Sequence, residues 1–262
     1  MGPLGELSEH VEELTSSFDS VIVFGANGVG LTQYTTWAIV TIALTLLVVF
    51  LAGKRLSVSP TGNRFVGMVE YGYDHVRGSI AENAIGHGFE RHVPFLATLF
   101  FFIFICNLVG LIPGAKAVTG TLGVTWALSL CSFVYFNYWG FKVKGGWGYI
   151  KSIAPSGLPT VMVPIIWFFE FISLVLRLLT LAVRLYGNMF AGHMVLGIFS
   201  LLTSIFITYA VQNVAYVVAL PSIAWFVFLL AMYALECLVA YLQAYVFTTL
   251  SAVYIALATS EH

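Results

Sequence analysis

The chain has 262 residues, of which 60% are hydrophobic and only 9% are charged, and its mean hydropathy is +0.94. This composition predicts a membrane protein with several spanning helices and argues against an ordinary water-soluble domain. The net charge is −1 and there is no run of basic residues to bind a phosphate backbone, so nucleic acid is not an expected partner.

The cysteines give no sign of a metal site or a disulfide. Cys106, Cys131 and Cys237 all fall in apolar stretches, without the spacing of metal ligands or of a disulfide framework. We interpret them as buried structural thiols, and we expect no metal and no cofactor.

Residues 1–32 form an acidic N-terminal segment, predicted to lie on the outer side of the membrane. Its start is acidic rather than basic, unlike a cleaved signal peptide, and residues 6–19 are predicted to form a short surface helix. The sequence GANGVG at 25–30 lacks the Gly-Lys-Ser/Thr of a phosphate loop, so we interpret it as a turn. No nucleotide site is expected anywhere in the chain.

Residues 33–157 are predicted to hold the N-terminal transmembrane helices. A first span at 33–53 ends at the basic pair Lys54-Arg55. Apolar residues then recur at helical spacing within 61–91, among many charged ones, which predicts an amphipathic helix lying along the membrane surface. Two further spans follow, at 93–112 and 122–141.

The last unit, 158–262, is too long for two ordinary spans. A helix from 159 to about 201 would be ~64 Å long, against a hydrocarbon core of ~30 Å. It must tilt steeply, bend or break before a last helix at about 222–258. The predicted fold is therefore all-α, with about five membrane-embedded helices and one interfacial helix, and the last two helices form a long tilted hairpin against a partner ring.

The distribution of basic residues predicts the orientation in the membrane. The pair Lys54-Arg55 and the lysines at 142, 144 and 151 belong inside, while the acidic N-terminus and the uncharged connection at 202–220 belong outside. The C-terminus then lies inside.

Polar residues inside the apolar segment 168–197 form one stripe. Glu170, Arg177 and Arg184 follow at seven-residue steps, which drift only ~20° each on a helix, and Asn188 lies one turn further. His193 points to the opposite side of the helix. A later apolar stretch repeats the spacing with two polar residues seven apart, Glu236 and Gln243.

Burying these groups in lipid is unfavourable, by ~2.5 to more than ~10 kcal/mol for an arginine at the centre of a bilayer. Glu170 and Arg177 can be explained as a structural ion pair, and His193 and Glu236 as polar residues in helix interfaces. Interhelical hydrogen bonding is an equally good explanation for Asn107, Asn188 and Gln243. Arg184 has no carboxylate nearby on its own helix, so its counter-charge must come from another helix or another chain.

The depths of these residues suggest two proton paths rather than one. Under the predicted orientation Glu170 lies near the inner side, Arg184 is central, and His193 and Glu236 lie toward the outer side. A guanidinium stays protonated and cannot relay protons, so Arg184 would keep the paths from joining and would attract an ionised carboxylate carried past it by a partner.

These residues carry a resemblance to a known family. RLYGNMFAGH at 184–193 resembles the signature of subunit a of F-type ATP synthases, the stator half of the proton channel. FFFIFICNLVGLIPG at 100–114, LQAYVFTTLSAVYIA at 242–256 and the ending SEH also resemble that family, and the resemblance covers roughly residues 30–262.

The resemblance implies roles for the polar residues. Arg184 would face the carboxylate of the rotating c-ring, His193 and Glu236 would line an outer half-channel, and Glu170 an inner one. Asn107 and Gln243 would contribute to the outer path. In some family members the acid comes first and the histidine second, which is consistent with His193 and Glu236 being neighbours in space.

The predicted function is a stationary, non-catalytic subunit that translocates protons for ATP synthesis by other subunits. Its partners would be the c-ring, the b subunits of the peripheral stalk and the lipid bilayer. A bacterial plasma membrane is the expected location, with a mitochondrial or plastid membrane as the alternative. Two other hypotheses are a self-contained proton-coupled secondary transporter, for which no internal repeat is evident, and a structural scaffold without transport.

Overall fold

The structure is a computed structural model that describes residues 22–26, 29–55, 64–112, 114–152, 162–212 and 220–260. The surface helix predicted at 6–19 and the last two residues of the C-terminal SEH, at 261–262, lie outside the described residues. Most of the described chain is helical, which confirms the predicted all-α class.

A short antiparallel hairpin precedes the first helix. Strand β1 (Ile22–Ala26) pairs with β2 (Val29–Thr32), and Ala26 opposes Val29 at the end next to the connection. The glycine-rich stretch thus lies where the chain reverses direction. The sequence analysis predicted the turn but not the two strands beside it.

Helix α1 (Gln33–Arg55) is the first predicted span. Helix α2 (Arg64–Asp74) continues directly into a π-helical segment (His75–Glu82) and a last turn, α3 (Asn83–Ile85). Together, α2 to α3 are the predicted amphipathic helix. One face buries Val66, Val76, Ile80 and Ala81 against the rest of the chain, and the other face is exposed.

Two helices form the centre of the fold. Helix α4 (Val93–Gly110) is more than half buried, and α5 (Leu122–Lys144) packs against both of the long C-terminal helices. A 3-10 turn (Val118–Gly120) lies between them. The short helix α6 (Gly146–Ser152) folds back onto α5, where the ring of Tyr149 packs on Gly140.

The C-terminal half consists of two long helices, α7 (Val163–Gln212, 50 residues) and α8 (Leu220–Thr259, 40 residues). At ~1.5 Å per residue they are ~75 Å and ~60 Å long, far more than a bilayer needs. Helix α7 runs unbroken through Gly187, Gly192 and Gly197, so it does not break at these glycines. The predicted long hairpin is confirmed.

Four helices in the described part of the chain are long and apolar enough to cross a membrane, by length and composition: α1, α4, α7 and α8. Helix α5 is long enough but less apolar, because serine, asparagine, tyrosine and tryptophan residues lie along it. Ser129 donates a hydrogen bond to the Leu178 carbonyl (2.6 Å) and Ser132 to the Ser251 hydroxyl (2.8 Å). The polar residues of α5 therefore fasten it to α7 and α8.

Two sequence-based interpretations need correction. Cys106 is buried, as predicted, but Cys131 and Cys237 are exposed on outward faces of their helices. His92 lies in a polar stretch of sequence, where a solvated histidine is the simplest interpretation, but its side chain is only 5% exposed and lies directly before α4. Its Nδ1 is 3.1 Å from the Tyr135 hydroxyl, and its ring meets the ring of Trp139 edge to face.

Burial of His92 predicts a pH-dependent stability. Burial, together with the charge of Arg91, lowers the pKa of His92 below its ordinary value. The unfolded state therefore binds a proton that the folded state resists, and stability falls as pH drops below about 6.5. The midpoint of thermal unfolding is expected to fall between about pH 7.5 and 5.5, and we expect this fall to be smaller in His92→Gln. The exposed His87 is the control, and an equal effect of His87→Gln would contradict the assignment to His92.

Candidate functional site

The two long helices are aligned antiparallel by contacts along their length. The Arg177 guanidinium lies 5.4 Å from the centre of the Tyr254 ring, and Asn188 Nδ2 donates to Gln243 Oε1 at 2.6 Å. Residues with higher numbers on α7 contact residues with lower numbers on α8. This alignment decides which polar residues of the two helices share a depth.

Arg184 lies near the middle of α7 and is exposed in the isolated chain. Its neighbours Leu181, Ala182 and Leu185 are buried, so the helix turns its apolar side to the rest of the chain and Arg184 away from it. Within the described residues Arg184 makes neither a hydrogen bond nor an ion pair. A permanent charge on an apolar helix is thus left without an ion pair among the described residues.

Glu170 and Arg177 do not form the ion pair considered from the sequence. Among the residues that the structure describes, the one salt bridge joins Arg77 and Glu90 on the surface, at 3.5 Å. Arg177 is half-buried and packs over Tyr254 instead, a favourable cation–π contact. Glu170 is half-buried as well and lies fourteen residues from Arg184, ~21 Å along the helix.

Asn188 and Gln243 form one hydrogen-bonded pair between α7 and α8. Gln243 is only 3% exposed, and its Nε2 has no partner among the described residues. An amide donor left buried in this way is usually satisfied by ordered water. The pair can therefore both join the helices and hold water beside them.

Glu236 is a carboxyl group enclosed by helices. It is 4% exposed, and its Oε2 has no hydrogen-bond partner in the described chain. The carboxylate packs directly on Gly192 of α7, in space that any side chain at position 192 would fill. The glycine thus lets an acid of α8 reach α7 one residue before His193.

His193 has carbonyl oxygens at both ring nitrogens. Nδ1 is 2.9 Å from the Met189 carbonyl oxygen, and Nε2 is 2.8 Å from that of Gly110, at the end of α4. A neutral imidazole has one N–H and can donate to only one of them, whereas the doubly protonated ring donates to both. The imidazole thus joins α7 to the end of α4, one residue beyond the glycine on which the Glu236 carboxyl group packs.

Asn107 joins three parts of the fold. Its Oδ1 accepts a hydrogen bond from Thr119 (2.8 Å), and its Nδ2 lies 3.4 Å from the Ala240 carbonyl oxygen of α8. It is fully buried. These bonds position the end of α4 and the following 3-10 turn against α8, one turn from Glu236.

Comparison with known proteins decides the family. A profile described as ATP synthase A chain matches residues 35–256. The chain belongs to the ATP synthase A chain family. It is 36% identical over 246 residues to ATP synthase subunit a of Chloroherpeton thalassium, an alignment that covers 92% of this chain and 70% of the relative.

Two other relatives have the same name or a close variant of it. Identity is 35% over 252 residues with ATP synthase subunit a of a Nocardioides species, covering 93% of this chain and 87% of the relative. Identity is 37% over 212 residues with ATP synthase subunit a 2 of Chlorobaculum tepidum, an alignment that covers 79% of this chain and 56% of the relative. The family and the apolar helices together make this chain a multi-pass membrane protein.

The fold of this family member brings some of the predicted site residues together and leaves others apart. His193, Glu236 and Asn107 lie together around the ends of α4 and the 3-10 turn, and Asn188 and Gln243 pair next to them. Arg184 and Glu170 are separate from this group. Their roles in transport stay predictions.

Sequence reasoning missed the residues that position these groups. Gly110 and Thr119 support His193 and Asn107, and Tyr254 supports Arg177. Small residues on α7 are visible in the sequence, but an added Cβ meets nothing within 4 Å at Gly187 and meets the Glu236 carboxylate at Gly192. Of these two glycines, Gly192 is the one that packing within this chain requires.

This contrast predicts the effects of two matched substitutions. Gly192→Ala places a methyl group where the Glu236 carboxylate lies, and such overpacking lowers the free energy of unfolding by about 1–3 kcal/mol. Gly187→Ala gains the same helix propensity and meets no neighbour, so it is the control. Thermal unfolding of the purified chain in detergent measures the difference. Equal midpoints for both variants would contradict the contact.

Proposed function

We propose that this chain is the stationary ion-translocating subunit of the membrane sector of an F-type ATP synthase, with two offset proton half-channels separated by Arg184. The observation that carries the proposal is Arg184 itself. It is a permanent charge on an outward face of a long apolar helix, and no described residue pairs with it. A carboxyl group on a neighbouring chain would supply the counter-charge of Arg184.

The partner best suited to Arg184 is a ring of subunits that each carry a membrane-embedded carboxyl group, the c-ring. A guanidinium attracts an ionised carboxylate and promotes release of its proton as the acid passes. Since the guanidinium does not deprotonate, it also blocks direct proton passage along the helix surface. Arg184 would thus hold the two half-channels apart.

The outer half-channel is proposed to run past His193 and Glu236 and on to Asn188 and Gln243. Support comes from two buried atoms without a partner among the described residues, Glu236 Oε2 and Gln243 Nε2, which water or a proton would satisfy, and from the two carbonyls at His193. Asn107 is assigned a supporting role, because both ends of its amide bond to protein.

The inner half-channel is proposed to start near Glu170, ~21 Å from Arg184 along α7. Its half-buried carboxyl group makes no ion pair with another described residue and is therefore open to water. Under the positive-inside rule, the start of α7 lies inside, and the connection between α7 and α8 lies outside. The offset between the two paths follows from the length of the helix.

The remaining proposals concern the surroundings of the chain. We infer that it is not catalytic, that other subunits of the complex bind nucleotide, and that the b subunits hold it as a stator. The acidic segment at 1–32 would lie outside, the units at 33–157 and 158–262 would lie in the membrane, and the membrane would be a bacterial plasma membrane. The family and the bacterial relatives support this placement.

Replacing Arg184 tests the proposal. Arg184→Ala in the assembled complex is expected to reduce proton-driven ATP synthesis in membrane vesicles to background. Arg184→Lys is also expected to lose most of it, because a buried ammonium can deprotonate. ATP formation at the unmodified rate in Arg184→Ala would refute the role.

Arg177 provides the matched control for this experiment. It is an arginine of the same stripe on α7, but it packs over Tyr254 inside the chain. We expect Arg177→Gln to keep most ATP synthesis and to lower mainly thermal stability. If the two variants lose synthesis equally, loss of charge on α7 in general, rather than Arg184, explains the result.

A further inference from the structure

A cavity lies where α1, α2 and α4 meet, away from the proposed half-channels. Its volume is about 640 Å³, within the range of ~300–1,000 Å³ usual for small-molecule sites. Apolar side chains form most of its walls, including Val49 of α1, Val66 and Val69 of α2, and Ala97 and Phe101 of α4. Nothing in the proposed transport mechanism uses it.

The rim of this cavity is acidic. Glu70 and Asp74 lie one helical turn apart on α2, and both line the cavity. Both are exposed, and neither makes an ion pair or a hydrogen bond with another described residue. None of the described residues that line the cavity is basic. An apolar space with two carboxylates at its mouth fits an amphiphile with a cationic head and an apolar tail.

The depth of the cavity narrows the choice of ligand. Its walls come from the last turns of α1 and the first turns of α4, which flank the inner surface under the predicted orientation. Lys54, five residues beyond Val49, places a cation at the end of α1, with its ammonium 4.5 Å from the centre of the Phe50 ring. At this depth, a ligand with both an ammonium and a phosphate would meet carboxylates opposite its ammonium and the cation of Lys54 opposite its phosphate.

We propose that this cavity binds a phospholipid of the inner leaflet with a primary-ammonium headgroup, phosphatidylethanolamine. One acyl chain fills the apolar space, and the ammonium donates hydrogen bonds to Glu70 and Asp74. A primary ammonium has three N–H donors, whereas the quaternary ammonium of phosphatidylcholine has none. The headgroup of phosphatidylglycerol is anionic and is repelled by the two carboxylates.

Retention of defined lipids by the purified full chain tests the proposal. The chain is exchanged into detergent with equal amounts of dioleoyl phosphatidylethanolamine, phosphatidylcholine and phosphatidylglycerol, and the bound lipid is measured by native mass spectrometry. We expect one phosphatidylethanolamine to be retained in preference to the other two lipids. Equal retention of all three, or preference for phosphatidylglycerol, would overturn the proposal.

Variants locate the binding. The double variant Glu70→Gln, Asp74→Asn is expected to lower phosphatidylethanolamine retention about fivefold, to the level of phosphatidylcholine, because the charge-assisted bonds are lost. Ala97→Phe fills the cavity and is expected to remove retention of all lipids there. Glu82→Gln, an exposed carboxyl of the adjoining π-helix that does not line the cavity, is the control. Unchanged retention in the double variant would refute the assigned headgroup contact.

A further measurement covers the case in which a variant does not fold, and it also tests for a protein occupant. A photoreactive side chain at the exposed position Thr98, on the cavity wall, is placed in the assembled complex within its membrane. We expect it to label lipid. Labelling of another subunit would show that a protein helix fills this space and would overturn the proposal, whatever the outcome for Arg184.

Discussion

The structure depends on the antiparallel packing of two helices that are each much longer than a bilayer requires. Lipid is as apolar as leucine, so apolar side chains gain little free energy by leaving lipid for one particular alignment. Hydrophobic contact alone would therefore fix the register of the two helices only weakly. Directional contacts set it instead. Asn188 with Gln243 and Arg177 with Tyr254 form only at one register, and this register puts the Glu236 carboxylate on Gly192.

Helix α4 adds the contacts that complete the site between the two aligned helices. Its end brings the Gly110 carbonyl to His193 and, through Asn107 and Thr119, fixes the 3-10 turn against α8. Three separate stretches of sequence thus meet around one imidazole and one carboxyl group. Backbone carbonyls and a buried amide make these contacts, so the geometry around His193 does not depend on an ion pair.

Much of the fold could be predicted from composition and periodicity. The helices, the amphipathic segment and the long hairpin follow from where apolar runs start, stop and change their spacing. The strands at 22–32 were missed, because the stretch is short and glycine at the turn predicts only a reversal. His92 was placed wrongly, because a histidine in a polar stretch carries no signal of the tyrosine and tryptophan that cover it from α5.

The site was predictable only in part, and the reason is physical. A charged or amide side chain in an apolar helix is visible in the sequence, because its burial is unfavourable unless something compensates. The groups that compensate are not visible, because they are backbone carbonyls, a glycine or an aromatic ring. Glu236 depends on the absence of a side chain at Gly192, and His193 on two carbonyls. Seven-residue spacing located the charges, but only packing decides that Arg177 is satisfied within the chain while Arg184, one step further, has no ion pair among the described residues.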